Sequence, residues 1–292
     1  MNGILIINKE KGCTSHDIVY KVKRMFNEKV GHTGTLDPLA EGVLPILIGK
    51  GTLCSKYLIN HDKKYIVNLQ LGIKTETADS EGSIVEEKEV PNQILTPGVI
   101  EKTFETFIGK QQQMPPIYSA IKVNGKKLYE YARKGQSIDI KPRTIEIYEI
   151  KLMNINSEKK EIQFEVFCGK GTYIRSLCED IAEKLGTVGY MKQLKRTQVG
   201  EFNLEESSTI EELEKNKENN KYLESKIISI EKLFENKNKI ELDERKMQLF
   251  LNGVKITQNL ENDLYRIYNK NKEFIGIGIV ENKLLKRDVI IY

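Results

Sequence analysis

The spacing of apolar residues along the chain predicts strands and helices in irregular order. Apolar residues recur at every second position in some segments, as in half-buried strands, and at every third or fourth position in others, as in amphipathic helices. This irregular order favours an α+β fold over a regular βαβ winding. The predicted strands are 1–7, 43–48, 65–71 and 162–168, and the predicted helices start at Thr14 or Ser15, run from Pro97 through Phe107 to a stop at Gly109, and cover 174–185.

The pattern changes after residue 204 and divides the chain into two domains. Residues 205–239 are rich in Glu, Lys and Asn and predict a solvated helix and linker without a chemical role. Short apolar segments joined by turn-rich pieces follow, which predicts a small, mostly β domain at the C-terminus. We therefore expect one domain over 1–234 and a second over 235–292. The strands expected in the second domain are 264–268, 274–280 and 289–292.

The composition argues against a metal site and a membrane segment, but it gives little information about a binding partner. The 292 residues carry a formal charge of +4, which is weak evidence for a polyanionic partner. The four cysteines form no CxxC pair and only three histidines are present, so a zinc site is not expected. Cys168 and Cys178 lie in apolar-periodic segments and are expected to be buried, reduced thiols. The absence of a basic leader and of a membrane-spanning apolar run predicts a cytoplasmic protein without membrane contact.

Residues 31–45 hold Asp37 in a loop with a restricted backbone. Its glycines allow conformations that other residues avoid, and Pro38 pushes Asp37 towards an extended geometry. A carboxylate fixed in this way suits a covalent nucleophile or a positioned base. The competing interpretation is an ordinary surface turn in which Asp37 accepts a hydrogen bond from a neighbouring N–H. Glu41 could form a glycosidase-like pair with Asp37 only on a helix, which Pro38 disfavours, so we expect Glu41 to be structural.

Three further polar side chains have both a chemical and a structural interpretation. Arg175 lies in the first turn of a helix and can form a bidentate pair with a carboxylate, which would keep that carboxylate ionised. The alternative is a surface ion pair between Arg175 and Glu179, four residues on. Taken alone, Tyr65 is a core aromatic residue whose hydroxyl finds a partner, and His32 is a loop histidine.

Taken together, these segments resemble the bacterial tRNA pseudouridine-55 synthase family of the TruB type over nearly the whole chain. Residues 31–42, GHTGTLDPLAEG, match the catalytic loop of that family almost letter for letter. Shorter similarities are KY at 64–65 with LG at 71–72, PIYSAIK at 116–122, GKKLYEYAR at 125–133, GTYIRSL at 171–177, LKRT at 194–197 and FIGIG at 274–278.

The resemblance implies a mixed, largely antiparallel central sheet with flanking helices and a small PUA-like C-terminal domain. It implies an isomerase that detaches uracil from ribose at N1, turns it and rejoins it through C5, with neither a metal nor a cofactor. Asp37 would be the nucleophile and would pair with Arg175, although the atom that Asp37 attacks stays open. Tyr65 would stack on the flipped base and could help to remove the C5 proton. Leu194 would form a wall of the site, and Tyr173 would contact the substrate. His32 would fill the space left by the extruded nucleotide.

The resemblance also implies an RNA-gripping thumb at about residues 113–135. Its Lys122, Lys126, Lys127 and Arg133, with interleaved tyrosines, suit a polyanion whose bases stack. The expected partner is the T-arm of tRNA, with the acceptor end as a further contact of the C-terminal domain. No obligatory protein partner is expected.

Two other functions stay open at this point. A chaperone that binds and folds tRNA, with catalysis secondary, would need only the thumb and the C-terminal domain, and the intact Asp37 loop argues against it. A guide-RNA-dependent relative with the same catalytic core would usually carry larger tails and surfaces for accessory proteins. This compact chain has neither feature.

Overall fold

The computed structural model describes residues 1–119, 121–136 and 138–291. The first helix begins where the sequence predicts, because the side chain of Thr14 accepts a hydrogen bond from the backbone N–H of Asp17 and caps it. The strands and helices up to residue 113 are β1 Gly3–Lys9, α1 Ser15–Phe26, β2 Val30–His32, β3 Glu41–Ile48, α2 Ser55–Leu58, β4 Lys63–Leu71, β5 Ile73–Thr75, β6 Ile84–Glu87, α3 Pro97–Glu105 and β7 Gly109–Gln113.

The middle of the chain contains a hairpin with Asn124 and Gly125 at its turn, a residue pair that favours tight hairpin turns. Both turn residues have positive φ, 51° and 81°, and the paired strands have two residues each. Ala120, which belongs to the thumb-like motif, lies outside the described residues. The elements of this part are β8 Lys122–Val123, β9 Lys126–Lys127, α4 Leu128–Ala132, β10 Arg143–Asn156, β11 Glu161–Cys168, α5 Ile174–Lys184, β12 Gly189–Val199, β13 Phe202–Asn203, α6 Ile210–Lys215, α7 Asn220–Ser225, β14 Ile227–Ile228 and α8 Ile230–Leu233.

Within the described residues, one large sheet organises the first part of the molecule. Its strand order is β14-β1-β3-β12-β4-β11-β10-β7, with β2 beside β3 and β13 beside β12. The short contact between β12 and β3 is parallel, and the other pairings are antiparallel. The prediction of an α+β fold with a mixed, largely antiparallel central sheet is therefore confirmed.

Helices α1, α3 and α5 pack on the sheet and bury its main apolar face. On β4, the buried residues Tyr65, Val67 and Leu69 alternate with half-buried ones, as the sequence predicts. They join one hydrophobic cluster with apolar residues of all three helices. The helix residues in this cluster include Ile18, Val22, Ile100, Phe104, Leu177 and Ile181.

Two predictions are wrong: the end of helix α3 and the solvent exposure of residues 205–239. Helix α3 ends at Glu105, and Phe107 is buried from the turn that follows the helix, because a tight turn can point one apolar side chain back to the core. Residues 205–239 are also more than a solvated linker. Strand β14 extends the main sheet beside β1, and Leu213, Leu223 and Phe234 are buried. The charged residues between these apolar positions form the solvated faces of short helices.

A second sheet forms the C-terminal part of the chain. The elements are β15 Lys239–Glu241, α9 Glu244–Leu251, β16 Ile256–Thr257, β17 Asp263–Tyr268, β18 Phe274–Glu281 and β19 Leu284–Ile290. The strand order of the sheet is β15-β17-β18-β19-β16, with β15 parallel to β17. The expected last strand begins earlier than predicted, at Leu284, and Tyr292 lies outside the described residues. None of the helices in the described ranges combines the length and apolarity needed to cross a membrane.

Candidate active site

Two glycines let the loop before β3 fold tightly around Asp37. Gly34 and Gly42 have φ of +97° and +110°, in the left-handed region that favours glycine. A Cβ added to Gly42 would lie 2.1 Å from the backbone oxygen of Arg196, so a larger residue would displace strand β12. The path of the loop therefore depends on glycine at this position.

Hydrogen bonds from the N-terminal segment hold the middle of the loop. The Oγ of Ser15 donates to the backbone oxygen of Leu36 at 3.0 Å and accepts from its N–H at 2.9 Å. The N–H of Gly12 donates to the backbone oxygen of Pro38 at 2.8 Å. The fully buried Lys9 donates from Nζ to the same oxygen at 3.4 Å and to two carbonyls near the start of α1. Both chain neighbours of the candidate nucleophile are therefore fixed.

Arg196 on β12 holds the loop from the side of the sheet. It is 1% exposed, and a guanidinium can bind several carbonyls because its donors form a rigid fork. Its Nε donates to the backbone oxygen of Val43 at 2.7 Å. Its Nη2 and Nη1 donate to the backbone oxygens of Gly34 and Thr35 at 3.1 Å and 3.5 Å. One buried cation thus fastens both ends of the loop to the sheet.

Arg175 contacts Asp37, but not in the bidentate geometry that the sequence predicts. Its Nε lies 3.1 Å from Oδ2 of Asp37, and its Nη1 lies 3.6 Å from Oδ2 of Asp79. The guanidinium also donates to the backbone oxygens of Thr77 and Tyr118 at 3.3 Å and 3.0 Å. Because Nη1 contacts a second carboxylate, one guanidinium bridges two acids.

The alternative surface ion pair between Arg175 and Glu179 is not formed. Oε1 of Glu179 instead lies 3.6 Å from Nζ of Lys74. The Arg175 side chain is 8% exposed, because the first turn of α5 faces the turn that carries Asp79. The arginine therefore belongs to the interior of the site.

The electrostatics of Asp37 result from two opposing effects. Burial raises the pKa of Asp37 above its ordinary value, and the positive charge of Arg175 opposes this shift. The neighbouring charge of Asp79 raises the pKa of Asp37 further. A carboxylate with a raised pKa is more basic and more nucleophilic once it is ionised. Both properties suit a carboxylate that acts as a base or a nucleophile.

Tyr65 lies beside Asp37 on the helix-covered face of β4 and is 7% exposed. Burial raises the pKa of Tyr65 to about 12, so the phenol stays protonated at neutral pH. Its phenol lies close enough to Arg196 for the two groups to interact electrostatically. A role of Tyr65 in proton removal would therefore need a second group that takes the phenolic proton.

One cavity of about 490 Å³ collects most of the residues singled out from the sequence. Tyr118 and Tyr129 of the thumb-like segment and Lys63 of β4 also line it. A cavity of this size, with aromatic walls and a few charged groups, is typical of a small-molecule or nucleotide site. The predicted site residues that line it are Asp37, Tyr65, Tyr173, Arg175 and Leu194.

The remaining predicted residues lie outside the lining of this cavity. His32 on β2 is half-buried, and burial lowers its pKa, so its imidazole is neutral at pH 7. Lys122 and Lys126 are exposed on the β8–β9 hairpin. Lys127 has its Nζ 5.3 Å from the ring centroid of Tyr129 and 3.3 Å from the hydroxyl of that residue. Tyr129 therefore connects the hairpin to the cavity.

Comparison with known proteins gives consistent matches over the whole length. The chain matches the models described as TruB family pseudouridylate synthase (N terminal domain) over residues 23–174, tRNA pseudouridylate synthase B C-terminal domain over 175–235, and Pseudouridine synthase II TruB, C-terminal, over 239–286. The chain belongs to the TruB family of pseudouridylate synthases.

Similar proteins of this family cover almost the entire chain. The tRNA pseudouridine synthase B of Clostridium kluyveri is 44% identical over 96% of both chains. That of Caldanaerobacter subterraneus subsp. tengcongensis is 40% identical over 98% of both. A chain from a solved Cbf5–Nop10–Gar1 complex is 25% identical with a TM-score of 0.68, covering 99% of this chain and 83% of that one.

Four buried charged residues of this TruB-family site received no role in the sequence analysis, namely Lys9, Lys63, Asp79 and Arg196. Lys9 carries a signal that could have found it, since it ends a strand that is otherwise mostly apolar. Arg196 carries no such signal, because six of the eleven residues of its strand are polar or charged. Asp79 has no such signal, because acids are common in turns. Among the described residues, no group of three or more His, Cys, Asp or Glu side chains forms a metal-binding cluster, and the four cysteines are free.

Proposed function

We propose that this protein converts a uridine in the T-arm of tRNA, at position 55, into pseudouridine. Family membership supports the isomerase reaction, and relatives that are named tRNA pseudouridine synthase B support tRNA as the substrate. The T-arm position rests on the resemblance of the catalytic loop and of the thumb-like segment. The reaction is an isomerisation, so its atoms balance without a cofactor.

Asp37 is the proposed nucleophile of this reaction. Its loop is held from both sides of the aspartate and from the sheet, so the carboxylate needs no reorganisation when substrate binds. Contact with Arg175 favours the ionised form that can attack, while partial burial raises the pKa of the carboxyl and with it the basicity of the ionised form. Asp37 acts on the ribose or on the base to release uracil from C1′.

The target uridine reaches Asp37 by leaving the RNA stack. Extrusion of a base costs a few kcal/mol, which contacts in the pocket have to offset. Tyr65 and Tyr173 offer aromatic surface for stacking, and Leu194 closes the pocket with an apolar wall. His32 is proposed to occupy the space that the extruded nucleotide leaves in the RNA.

The thumb-like segment and the C-terminal sheet are the proposed RNA-binding elements. Lys122, Lys126 and Lys127 lie on one small hairpin and can neutralise phosphates of the T-arm. The C-terminal sheet, with its PUA-like motif at 274–278, is proposed to contact the acceptor end. The protein is proposed to act on tRNA without a protein partner.

The clamped Asp37, in contact with Arg175 inside the cavity, is the observation that carries this proposal. Asp37→Asn should abolish pseudouridine formation and preserve tRNA affinity, because the change removes the nucleophile but little contact surface. Single-turnover assays with unmodified tRNA and saturating purified enzyme measure both. Glu41→Gln is the matched control, since this carboxylate lies at the end of the same loop and pairs with Lys195 at 3.3 Å.

Two results would contradict the proposal. An Asp37→Asn rate within about tenfold of wild type corresponds to about 1.4 kcal/mol of barrier, too little for loss of a nucleophile. A wild-type protein that binds and refolds tRNA without forming pseudouridine would instead indicate a chaperone.

A further inference from the structure

Lys63 is a charged residue of the cavity to which the proposed reaction gives no role. It is the first residue of β4, and its side chain lies on the same face as that of Tyr65, two positions later. It lines the cavity together with Asp37 although it is only 9% exposed. A Cβ added to Gly34 would lie 3.8 Å from Cε of Lys63, so the lysine passes directly beside the catalytic loop.

Lys63 differs from the two buried arginines of the cavity in the number of its hydrogen-bond partners. Arg175 is bound to two carboxylates and two backbone oxygens. Arg196 is bound to three backbone oxygens and lies close to the phenol of Tyr65. The ammonium of Lys63 donates to the backbone oxygen of His61, and no carboxylate in the described part of the chain pairs with it. Because an ammonium has three donors, Lys63 has hydrogen-bonding capacity left for a ligand.

Burial of this cation costs the protein stability. Lysine is almost never buried unless it is paired, because an ammonium loses its hydration in the interior. Burial and the nearby charge of Arg196 lower the pKa of Lys63. A costly charge that faces a cleft is a candidate functional group.

The proposed reaction creates a negative charge in this cavity. When the bond between N1 and C1′ breaks, N1 keeps the electron pair, and the detached uracil is an anion whose charge is shared by N1, O2 and O4. The charge disappears when C5 bonds to C1′, and the proton that C5 loses is balanced by the proton that N1 gains. A donor at O2 or O4 therefore stabilises bond cleavage more than it stabilises bound uridine.

We propose that Lys63 donates a hydrogen bond to a carbonyl oxygen of the flipped uracil and stabilises the negative charge that develops as the glycosidic bond breaks. The inference rests on the proposed function and adds the group that receives the charge of the leaving base. It distinguishes Lys63 from the thumb lysines, which are proposed to contact phosphates.

Single-turnover rates on two synthetic T-arm hairpins test this role. One hairpin carries uridine at the target position and the other 5-fluorouridine, whose base forms a more stable anion and leaves with less help. Lys63→Met should slow consumption of the uridine by about 100-fold or more, the usual effect of losing one such donor. It should slow consumption of 5-fluorouridine by a markedly smaller factor, and Lys63→Arg should retain part of both rates.

Lys64→Met is the matched control. Lys64 follows Lys63 on the other face of β4 and pairs with Glu165 at 3.5 Å, so wild-type rates are expected on both hairpins. A purely structural role of Lys63 would lower the melting temperature and slow both hairpins equally. Our inference instead expects a melting temperature at or above that of wild type, because a buried unpaired charge is removed.

Several results would overturn the inference. One is equal slowing of both hairpins by Lys63→Met, and another is wild-type rates for a folded Lys63→Met. A third is a loss of affinity at an unchanged saturated rate, which would indicate that Lys63 contacts a phosphate. If Lys63→Met fails to fold, the shorter neutral donor in Lys63→Gln provides the same comparison. A wild-type protein that modifies neither the hairpins nor whole tRNA would contradict the proposed function itself.

Discussion

At the scale of single residues, the two acids that share Arg175 have different surroundings. The side chain of Asp79 is 5% exposed, whereas that of Asp37 is 37% exposed towards the cavity. Asp79 is also fixed by a hydrogen bond from the backbone N–H of Glu81 at 3.0 Å. We infer that Asp79 positions the guanidinium, and that the guanidinium in turn orients Asp37.

Arg175→Met should lower the rate by orders of magnitude and change its pH dependence. Loss of the positive charge leaves Asp37 beside the charge of Asp79, so the already raised pKa of Asp37 rises further. Because the ionised carboxylate is the proposed nucleophile, the acid limb of the pH–rate profile should move to higher pH. Arg175→Lys should lie between this variant and wild type, since an ammonium keeps the charge but not the fork of donors.

The pH–rate profile of saturated single turnovers checks this prediction. An Arg175→Met enzyme with a wild-type acid limb would show that the arginine does not control the ionisation of Asp37. Lys74→Met is a suitable control, because Lys74 pairs with Glu179 outside the cavity.

Tyr65→Phe should keep tRNA binding and slow the chemical step. The ring that is proposed to stack on the base remains, whereas the hydroxyl near Arg196 is lost. Tyr65→Leu should lose both stacking and rate, at about 1–3 kcal/mol for the stacked base. Separate measurements of affinity and saturated rate distinguish the two effects, and equal rates for Tyr65→Phe and wild type would assign Tyr65 to stacking alone.

At the scale of elements, the thumb-like segment combines a small hairpin with the short helix α4. The ring centroid of Tyr129 is 5.3 Å from Nζ of Lys127 and 5.4 Å from the guanidinium carbon of Arg133. Such cation–π contacts contribute about 0.5–1 kcal/mol each at exposed sites. They link the charged surface of the segment to an aromatic wall of the cavity.

Lys122→Gln/Lys126→Gln should weaken tRNA binding without a change in the saturated rate. Both side chains are exposed on the hairpin and neither lines the cavity. Each lost phosphate contact should make the slope of log affinity against log salt shallower by about 0.7–0.9. Binding titrations at several salt concentrations measure this slope, with Lys217→Gln/Lys221→Gln in the region of α6 and α7 as a charge-matched control. An unchanged slope would place the RNA elsewhere.

At the scale of the whole molecule, the C-terminal sheet is fastened to the catalytic part by apolar packing and by Asp288. Ile277 and Val289 share a hydrophobic cluster with Cys54, Ile230 and Phe234. The carboxylate of Asp288 accepts hydrogen bonds from Lys56 and Tyr57. The two sheets therefore form a continuous structure, and removal of one exposes apolar surface of the other.

Deletion of residues 236–292 should weaken tRNA binding and make its salt dependence shallower while the saturated rate is retained. Every residue that lines the catalytic cavity precedes this segment. The melting temperature should fall, because Ile230 and Phe234 lose their cover. Asp288→Ala separates the effects, since it weakens docking but removes no RNA-binding surface. A folded truncation whose saturated rate collapses would show that the C-terminal sheet shapes the cavity.

The spacing of apolar residues and the capping residues predict those strands and helices whose formation depends on residues close to them in the sequence. The alternation over 65–71 and the capped start of α1 are examples, because side-chain period and capping are local effects. Residues 205–239 were misjudged since their burial depends on a distant strand, β1, with which β14 pairs. The bidentate geometry of Arg175 was also wrong, because nothing near residue 175 indicates that Asp79 competes for its donors.

The sequence by itself determined that this protein is α+β and that Asp37 lies in a loop restricted by glycine and proline. It also determined the family, because a twelve-residue motif is far more specific than the general pattern of elements. Only the tertiary structure decided which charged residues surround Asp37. Lys9, Asp79, Arg175 and Arg196 converge on the loop from four separate segments. Their cooperation depends on sheet order and burial, which no local spacing along a chain can specify.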